Sequence, residues 1–265
     1  MPPARRRPRT YNPAKIRTAV LTQFGNVRQA VATLTEAQLA APTRLGDWTV
    51  RDLAAHITMA VEAISRGLDL DEPPSRGLDL LEWPFTTAPR AEGISDDTEA
   101  LAAACPDLDA LFARTEQRFT ESLDKAPDSR LIGSRTGAMT LTDYLVTRTV
   151  ELVVHTDDLN AAVPGLDIPY DRQALAACTR LLADALAAKA PGGSTEVRIP
   201  PYAVVQCVEG PRHTRGTPPN VVETDPLTWI RLATGRVVWA DALADAEVSA
   251  SGERADLGEF LPLMR

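Results

Sequence analysis

The sequence predicts an α+β protein in two parts, a helical part followed by a small mixed domain. Three observations carry this. Apolar residues recur at steps of three and four in successive segments up to about residue 189. The stretch APGGS, Ala190 to Ser194, then breaks the last of these segments. Beyond it the residues become β-branched and partly alternating, with short helical pieces between them, as in a small α+β domain. The parts are drawn at 13–190 and 195–265, after a basic tail over 1–12. That tail carries Arg5, Arg6, Arg7 and Arg9 among prolines and reads as disordered.

Taken in order, Asn12-Pro13 has the residues of a helix start, with asparagine at the N-cap and proline at the first helical position. Ile16, Val20, Phe24, Val27 and Val31 follow at helical spacing. A second helix begins at Thr49, three residues before Asp52, a capping-box-like pattern with Trp48 and Leu53 at the staple positions. Its apolar face is Leu53, Ile57, Ala60 and Ile64, and His56 points to that face or its edge. Residues 65–98 are less regular and contain SRGLDL twice, at Ser65–Leu70 and Ser75–Leu80, read as a local duplication. Trp83 and Phe85 sit in a proline-rich loop that either covers a pocket or packs onto the helices.

A third helix runs from about Asp107 through Leu123, with Leu108, Leu111, Phe112, Thr115 and Phe119 inward. Thr140 and Asp143 start a fourth, which Pro164-Gly165 ends. Asp171 to about Lys189 is a further helix. After the break, EVRIPPYAVVQCVEG is strand material interrupted by Pro200-Pro201, and NVVET is a short strand. DPLTWIRLATG is a helix capped by Asp225, GRVVWADALADA a shorter one, and EVSASGE a closing strand.

Composition narrows the function classes. A net charge of -8 argues against a general nucleic-acid binder. No apolar h-region follows the basic tail, and no run approaches the roughly 18 apolar residues of a membrane span. Cys105, Cys178 and Cys207 are few, odd in number and far apart. They fit a reducing cytoplasm and supply neither a disulfide framework nor a cysteine-rich zinc site.

The chemistry concentrates in Thr140–Val163. Leu141, Leu145, Arg148, Leu152, His155 and Leu159 share one helical face, and charged groups are rare on such a stripe unless paired or metal-bound. Glu151 and His155 lie one turn apart and can converge on one ion. With His56 they form a two-nitrogen, one-carboxylate set that leaves a fourth position open, as at a catalytic zinc. A satisfied network of core histidines explains the same residues. Arg148, three before Glu151, either orients that carboxylate, holds a substrate anion or forms an ordinary intrahelical pair. Asp157 or Asp158 is a possible partner for the second ring N–H of a histidine, although a solvated helix end is the favoured reading. His213, in a turn-rich segment, is read as surface.

GDWTVRDLAAHI and RTVELVVHTDDL together resemble the N-terminal domain of the mycothiol-dependent maleylpyruvate isomerase family, within the wider DinB-like four-helix bundles. The resemblance covers about 13–190 and implies that His56, Glu151 and His155 are metal ligands. ETDPLTWIRLATGRVVWADAL and AEVSASGERADLGEFLPL resemble the sterol-carrier-like domain that accompanies this bundle in actinobacterial proteins. Asp225-Pro226, Thr234-Gly235-Arg236 and Gly252 to Leu257 carry that likeness, while the terminal LPLMR departs from it. An arginine of such a domain assists substrate binding in some relatives, and Arg254 or Arg231 are the candidates here.

The resemblance therefore implies a cytoplasmic isomerase or S-transferase that uses a divalent metal, zinc foremost, with mycothiol. A metal-bound thiolate would act on a small electrophile, with Arg148 or Arg254 at a substrate carboxylate. His₂-carboxylate sites also accept iron, nickel or manganese. The alternative is a non-catalytic sterol-carrier-like protein that binds an apolar ligand, with a structural or vestigial metal site. Oligomeric state and substrate identity have no sequence signal.

Overall fold

The structure, a computed structural model, describes residues 9–87, 91–211 and 218–264. It is α+β, with helices first and a small sheet after them, as the sequence predicts. Arg5, Arg6, Arg7 and His213 lie outside the described residues, whereas Arg9 pairs with Asp184 at 2.8 Å.

Two compact units form, one from Tyr11–Trp83 and Pro89–Leu175, the other mainly from Ala176–Arg265. In the first, α1 (Pro13–Val31) starts on Asn12, whose side chain accepts from the Lys15 amide. Helix α2 (Glu36–Leu39) is one turn long. At the start of α3 (Val50–Asp69) both halves of the Thr49–Asp52 capping box are made. Asp107 caps α5 (Leu108–Leu123), and Thr140 caps α6 (Leu141–Ala162). The four long helices form a bundle in which α3 packs on α5 and α6, and α1 packs on α6 and α5. The apolar stripes expected for α1, α3 and α5 are buried in it.

Besides the single turn of α2, two features are additional to the expected ones. Helix α4 (Ala91–Ala104) packs on α3, so the irregular stretch between helices is shorter than the sequence indicates. A hairpin, β1 (Leu131–Ser134) and β2 (Gly137–Thr140), leads directly into α6. Its strands have four residues each, too few for a clear period of two. Ile132 lies so close to α3 that a methyl group at Gly67 would overlap its side chain. The SRGLDL repeat also divides. Ser65–Asp69 finishes α3, whereas Gly77 and Leu78 of the second copy donate their amides to the Ala138 carbonyl. Pro73 and Pro74 precede that copy and keep it from joining a helix.

Helix α6 carries more than the single stripe expected of it. Sixteen of its 22 residues are buried, including Thr147, Thr149 and Thr156. Each of these hydroxyls donates to a carbonyl one turn back, at 2.7 Å, so a helix surrounded by protein leaves none of them unpaired.

The second unit holds most of α7 (Arg172–Lys189) and a four-stranded sheet. The change of composition comes after α7, whereas the compact units divide within it, at Ala176. Strands β3 (Thr195–Ile199), β4 (Ala203–Cys207), β5 (Val221–Thr224) and β6 (Val248–Ser251) lie in the order β4-β3-β5-β6. The β3–β5 pair is parallel and the other two are antiparallel. Asp225 caps α8 (Pro226–Ala233), and α9 (Trp239–Ala244) follows, as the Asp-Pro pattern predicts. Gly192 in the break has a local reason, because a Cβ there would overlap the backbone of Val208.

One buried polar residue ties the bundle together. Gln23 on α1 donates from Nε2 to Thr156 Oγ1 at 3.0 Å, and its Oε1 accepts from the Asp171 amide at 2.6 Å. Gln23→Leu keeps the bulk but removes the partner of the part-buried Asp171 amide, and is expected to cost about 1–3 kcal/mol in urea unfolding. A neutral result would show that these bonds contribute nothing net.

Candidate metal centre

His56 lies in the second turn of α3, and Glu151 and His155 are successive turns of α6. Because α3 and α6 are neighbours, the three side chains meet, with ligand atoms within 4.8 Å of one another. Glu151 Oε2 is 3.3 Å from His155 Nε2 and 3.9 Å from His56 Nε2. The two rings stand edge to face with centroids 4.9 Å apart. Both histidines are buried, at 8% and 9% exposure.

The outward ring nitrogens are held elsewhere. His155 Nδ1 is 2.9 Å from Asp158 Oδ2, and a carboxylate there requires the hydrogen on Nδ1. His56 Nδ1 is 3.3 Å from the Thr98 hydroxyl on α4. Both Nε2 atoms face the space beside Glu151. The Trp48 ring lies 4.9 Å from His56, with its Nε1 donating to Ser95 of α4 at 2.8 Å.

Asp157 and Asp158 are not a solvated helix end. They are 3% and 0% exposed, and Arg44 reaches both carboxylates at 2.5 Å. Arg44 sits in the loop before α3, more than 110 residues earlier in the chain. Local spacing on α6 gives no sign of it. The result is a relay of opposite charges, Arg44 to Asp158 to His155.

The charges set the protonation preferences. Burial would raise the Glu151 carboxyl, but the Arg148 guanidinium and the two histidines hold it well below its ordinary value. Burial pushes His56 down, and Glu151 offsets this only in part. Burial also acts to lower His155, but hydrogen bonds to Asp158 and Glu151 bring it above its ordinary value.

Residues 20–160 match the family described as the mycothiol maleylpyruvate isomerase N-terminal domain, more than half of the chain. The chain belongs to that family. Residues 171–263 match a second family, described as bacterial SCP ortholog. Two crystal structures of the mycothiol-dependent maleylpyruvate isomerase, one of them a histidine-to-alanine mutant, are similar to the whole chain. Their TM-scores are 0.58 and 0.57 for the mutant, each at 16% identity, covering 93% of this chain and 95% of the other. At that identity the likeness shows the fold. No curated protein is significantly similar in sequence.

Within this maleylpyruvate isomerase family bundle, Arg148 is 7% exposed and engaged on every side. Its Nε donates to Thr147 Oγ1 at 3.1 Å, Nη1 to the Ala60 carbonyl at 3.3 Å, and Nη2 to Glu151 at 3.5 Å. It stacks 4.8 Å from the Tyr144 ring and 5.9 Å from that of Trp83. Trp83 is itself 2% exposed, so this part of the proline-rich loop packs onto the bundle. Arg254 belongs to the C-terminal unit, where its side chain is exposed, its amide donates to Asn220 and its carbonyl accepts from Thr195. Arg231 is in the last turn of α8.

Removing Arg44 would take the cationic partner from two buried carboxylates. Arg44→Met is expected to destabilise the protein by about 3 kcal/mol, the low end for a broken buried pair because Arg44 is itself 31% exposed. Arg51→Met, which breaks the pair with the 87% exposed Glu36 and an exposed hydrogen bond to the Pro106 carbonyl, should cost about 1 kcal/mol or less. Urea unfolding of both variants measures the difference, and equal losses would contradict the relay.

Proposed function

We propose that the protein is a cytoplasmic, metal- and mycothiol-dependent enzyme acting on a small electrophile as an isomerase or S-transferase. The observation that carries this is the convergence of His56 Nε2, His155 Nε2 and Glu151 Oε2 on one space, with both outward ring nitrogens already occupied. Ligands of a tetrahedral zinc stand roughly 3.3–3.5 Å apart, given metal–ligand distances of about 2.0–2.2 Å. The separations of 3.3 and 3.9 Å to Glu151 approach that, and all three ligand atoms lie within 4.8 Å, so the donor set suits a divalent ion such as zinc. A divalent cation held there supplies a Lewis acid that favours the thiolate of bound mycothiol at neutral pH.

The chain's own residues prepare that site. Asp158 fixes the His155 tautomer, and Thr98 orients His56. Arg148 keeps Glu151 ionised in a buried place. The thiol is external. Cys178 and Cys207 are buried, and burial pushes the Cys178 thiol far up and that of Cys207 to about 12, which removes both as nucleophiles near neutral pH. The three cysteines are free, in keeping with a reducing compartment, and no helix among the described residues is long and apolar enough to cross a membrane. The match of 171–263 to the bacterial SCP ortholog family favours a second reading, a non-catalytic carrier of an apolar ligand.

Protein purified without chelator is expected to hold about one metal ion per chain by elemental analysis, and His155→Ala and Glu151→Gln to hold little. Wild type with no more metal than the variants would sink the proposal. Mycothiol consumption with a panel of small electrophiles then tests the enzyme reading. Metal bound without thiol turnover, combined with displacement of a fluorescent fatty acid from the full chain, would favour the carrier.

The raised His155 value gives a pH dependence with a definite sign. His155 must give up its Nε2 proton to bind, and below its folded value the proton is held more firmly than in an ordinary histidine. Metal affinity should therefore fall by about tenfold per pH unit on acidification, beginning above pH 6.5 rather than below it. Competition with a chromogenic chelator from pH 8 to pH 6 measures the slope, and a flat profile would exclude His155 as a ligand.

A further inference from the structure

Helix α4, which brings Thr98 to His56, also forms one wall of a separate cavity of about 590 Å3 with Asp97 and Leu101. From α3 come Met59 and Glu62, three and six residues after His56, turned away from it by about 60° and 120° around the helix. None of His56, Glu151 and His155 lines this cavity. Its volume is in the range that holds a small molecule.

Its charge is unbalanced. Four arginines line it, Arg66, Arg114, Arg118 and Arg135, against two carboxylates, Glu62 and Asp97, in a chain whose net charge is -8. Both carboxylates are already engaged. Arg118 pairs with Glu62 and with Asp69, and Arg135 pairs with Asp97. Arg66 and Arg114 make no ion pair with a carboxylate among the described residues, and Arg114 Nη2 reaches only the Cys105 sulfur, at 3.7 Å. Met59, Leu101 and Leu111 supply apolar wall. Two guanidiniums that form no direct ion pair, beside an apolar wall, match an anion with an apolar body, because guanidinium pairs well with carboxylate and phosphate oxygens.

We propose that this groove between α3, α4, α5 and the hairpin turn binds a small organic anion, its carboxylate or phosphate at Arg66 and Arg114 and its apolar body against Met59, Leu101 and Leu111. The site is independent of the metal reading.

The probes are benzoate, phenyl phosphate, inorganic phosphate and the neutral benzamide, titrated into the full chain by calorimetry. Benzoate or phenyl phosphate is expected to bind at least about tenfold more tightly than benzamide, and whichever binds better assigns the anionic group. Arg66→Gln with Arg114→Gln is expected to weaken that anion by about tenfold or more while metal content and unfolding midpoint stay unchanged. Should the double variant fold poorly, Arg114→Gln alone is read in the same way, since Arg114 is exposed. Three results would overturn the proposal. They are unchanged anion affinity in the variant, loss of binding in His155→Ala, which would place the anion at the metal centre, and inorganic phosphate binding as well as phenyl phosphate with benzoate inert.

Discussion

The structure depends on a line of alternating charge along a helix that is buried on nearly all sides. Arg44, Asp158, His155, Glu151 and Arg148 follow one another, each within ion-pair distance of the next. Taking any of these groups out of water alone costs several kcal/mol, so the line persists only if every member is present and aligned. Two elements must be in place for that, the loop before α3 that brings Arg44 and α6, which carries the rest; α3 adds His56 beside Glu151. Apolar stripes fix which helices pack, whereas the charges fix how α3 and α6 are positioned against each other. The same alignment that satisfies the charges brings two Nε2 atoms and a carboxylate oxygen to one place.

Parts of this were legible in the sequence because they are local. Ile16 to Val31, Leu53 to Ile64 and Leu108 to Phe119 declare their helices by spacing, and Asn12, Thr49, Thr140 and Asp225 declare their starts. His56, Glu151 and His155 stood out because titratable groups are rare on core faces. What was not legible is what depends on residues far apart in sequence. Asp157 and Asp158 have the pattern of a solvated helix end until Arg44 is placed over them. Thr98 has no signal as a histidine partner without α4 beside α3. SRGLDL makes the same point, since one sequence ends a helix and also forms a loop, and the neighbouring prolines and the hairpin decide which.

Arg148 changes character once its surroundings are known. From the sequence it was an equal candidate for a substrate anion and for Glu151. Its guanidinium donates to Thr147, to Ala60 and to Glu151, and its faces lie beside Tyr144 and Trp83. A group so enclosed would have to leave these contacts to meet a substrate. Its fixed position is better suited to stabilising the negative charge on Glu151, which a neutral side chain there would leave unbalanced.

Helix α4 is the element that the sequence showed least, and the reason bears on function. Where its burial is described, only Thr98 and Ala102 are buried, so there is no broad apolar stripe to detect. A helix that faces a core on one side and water on the other is written in apolar periodicity. This one instead presents Thr98 and Ser95 towards His56 and Trp48, and Asp97 and Leu101 to the arginine-lined groove. Departures from local pattern are expected where residues serve a site rather than the core. The weak periodicity of α4 is thus the consequence of its position as a wall shared by two concavities.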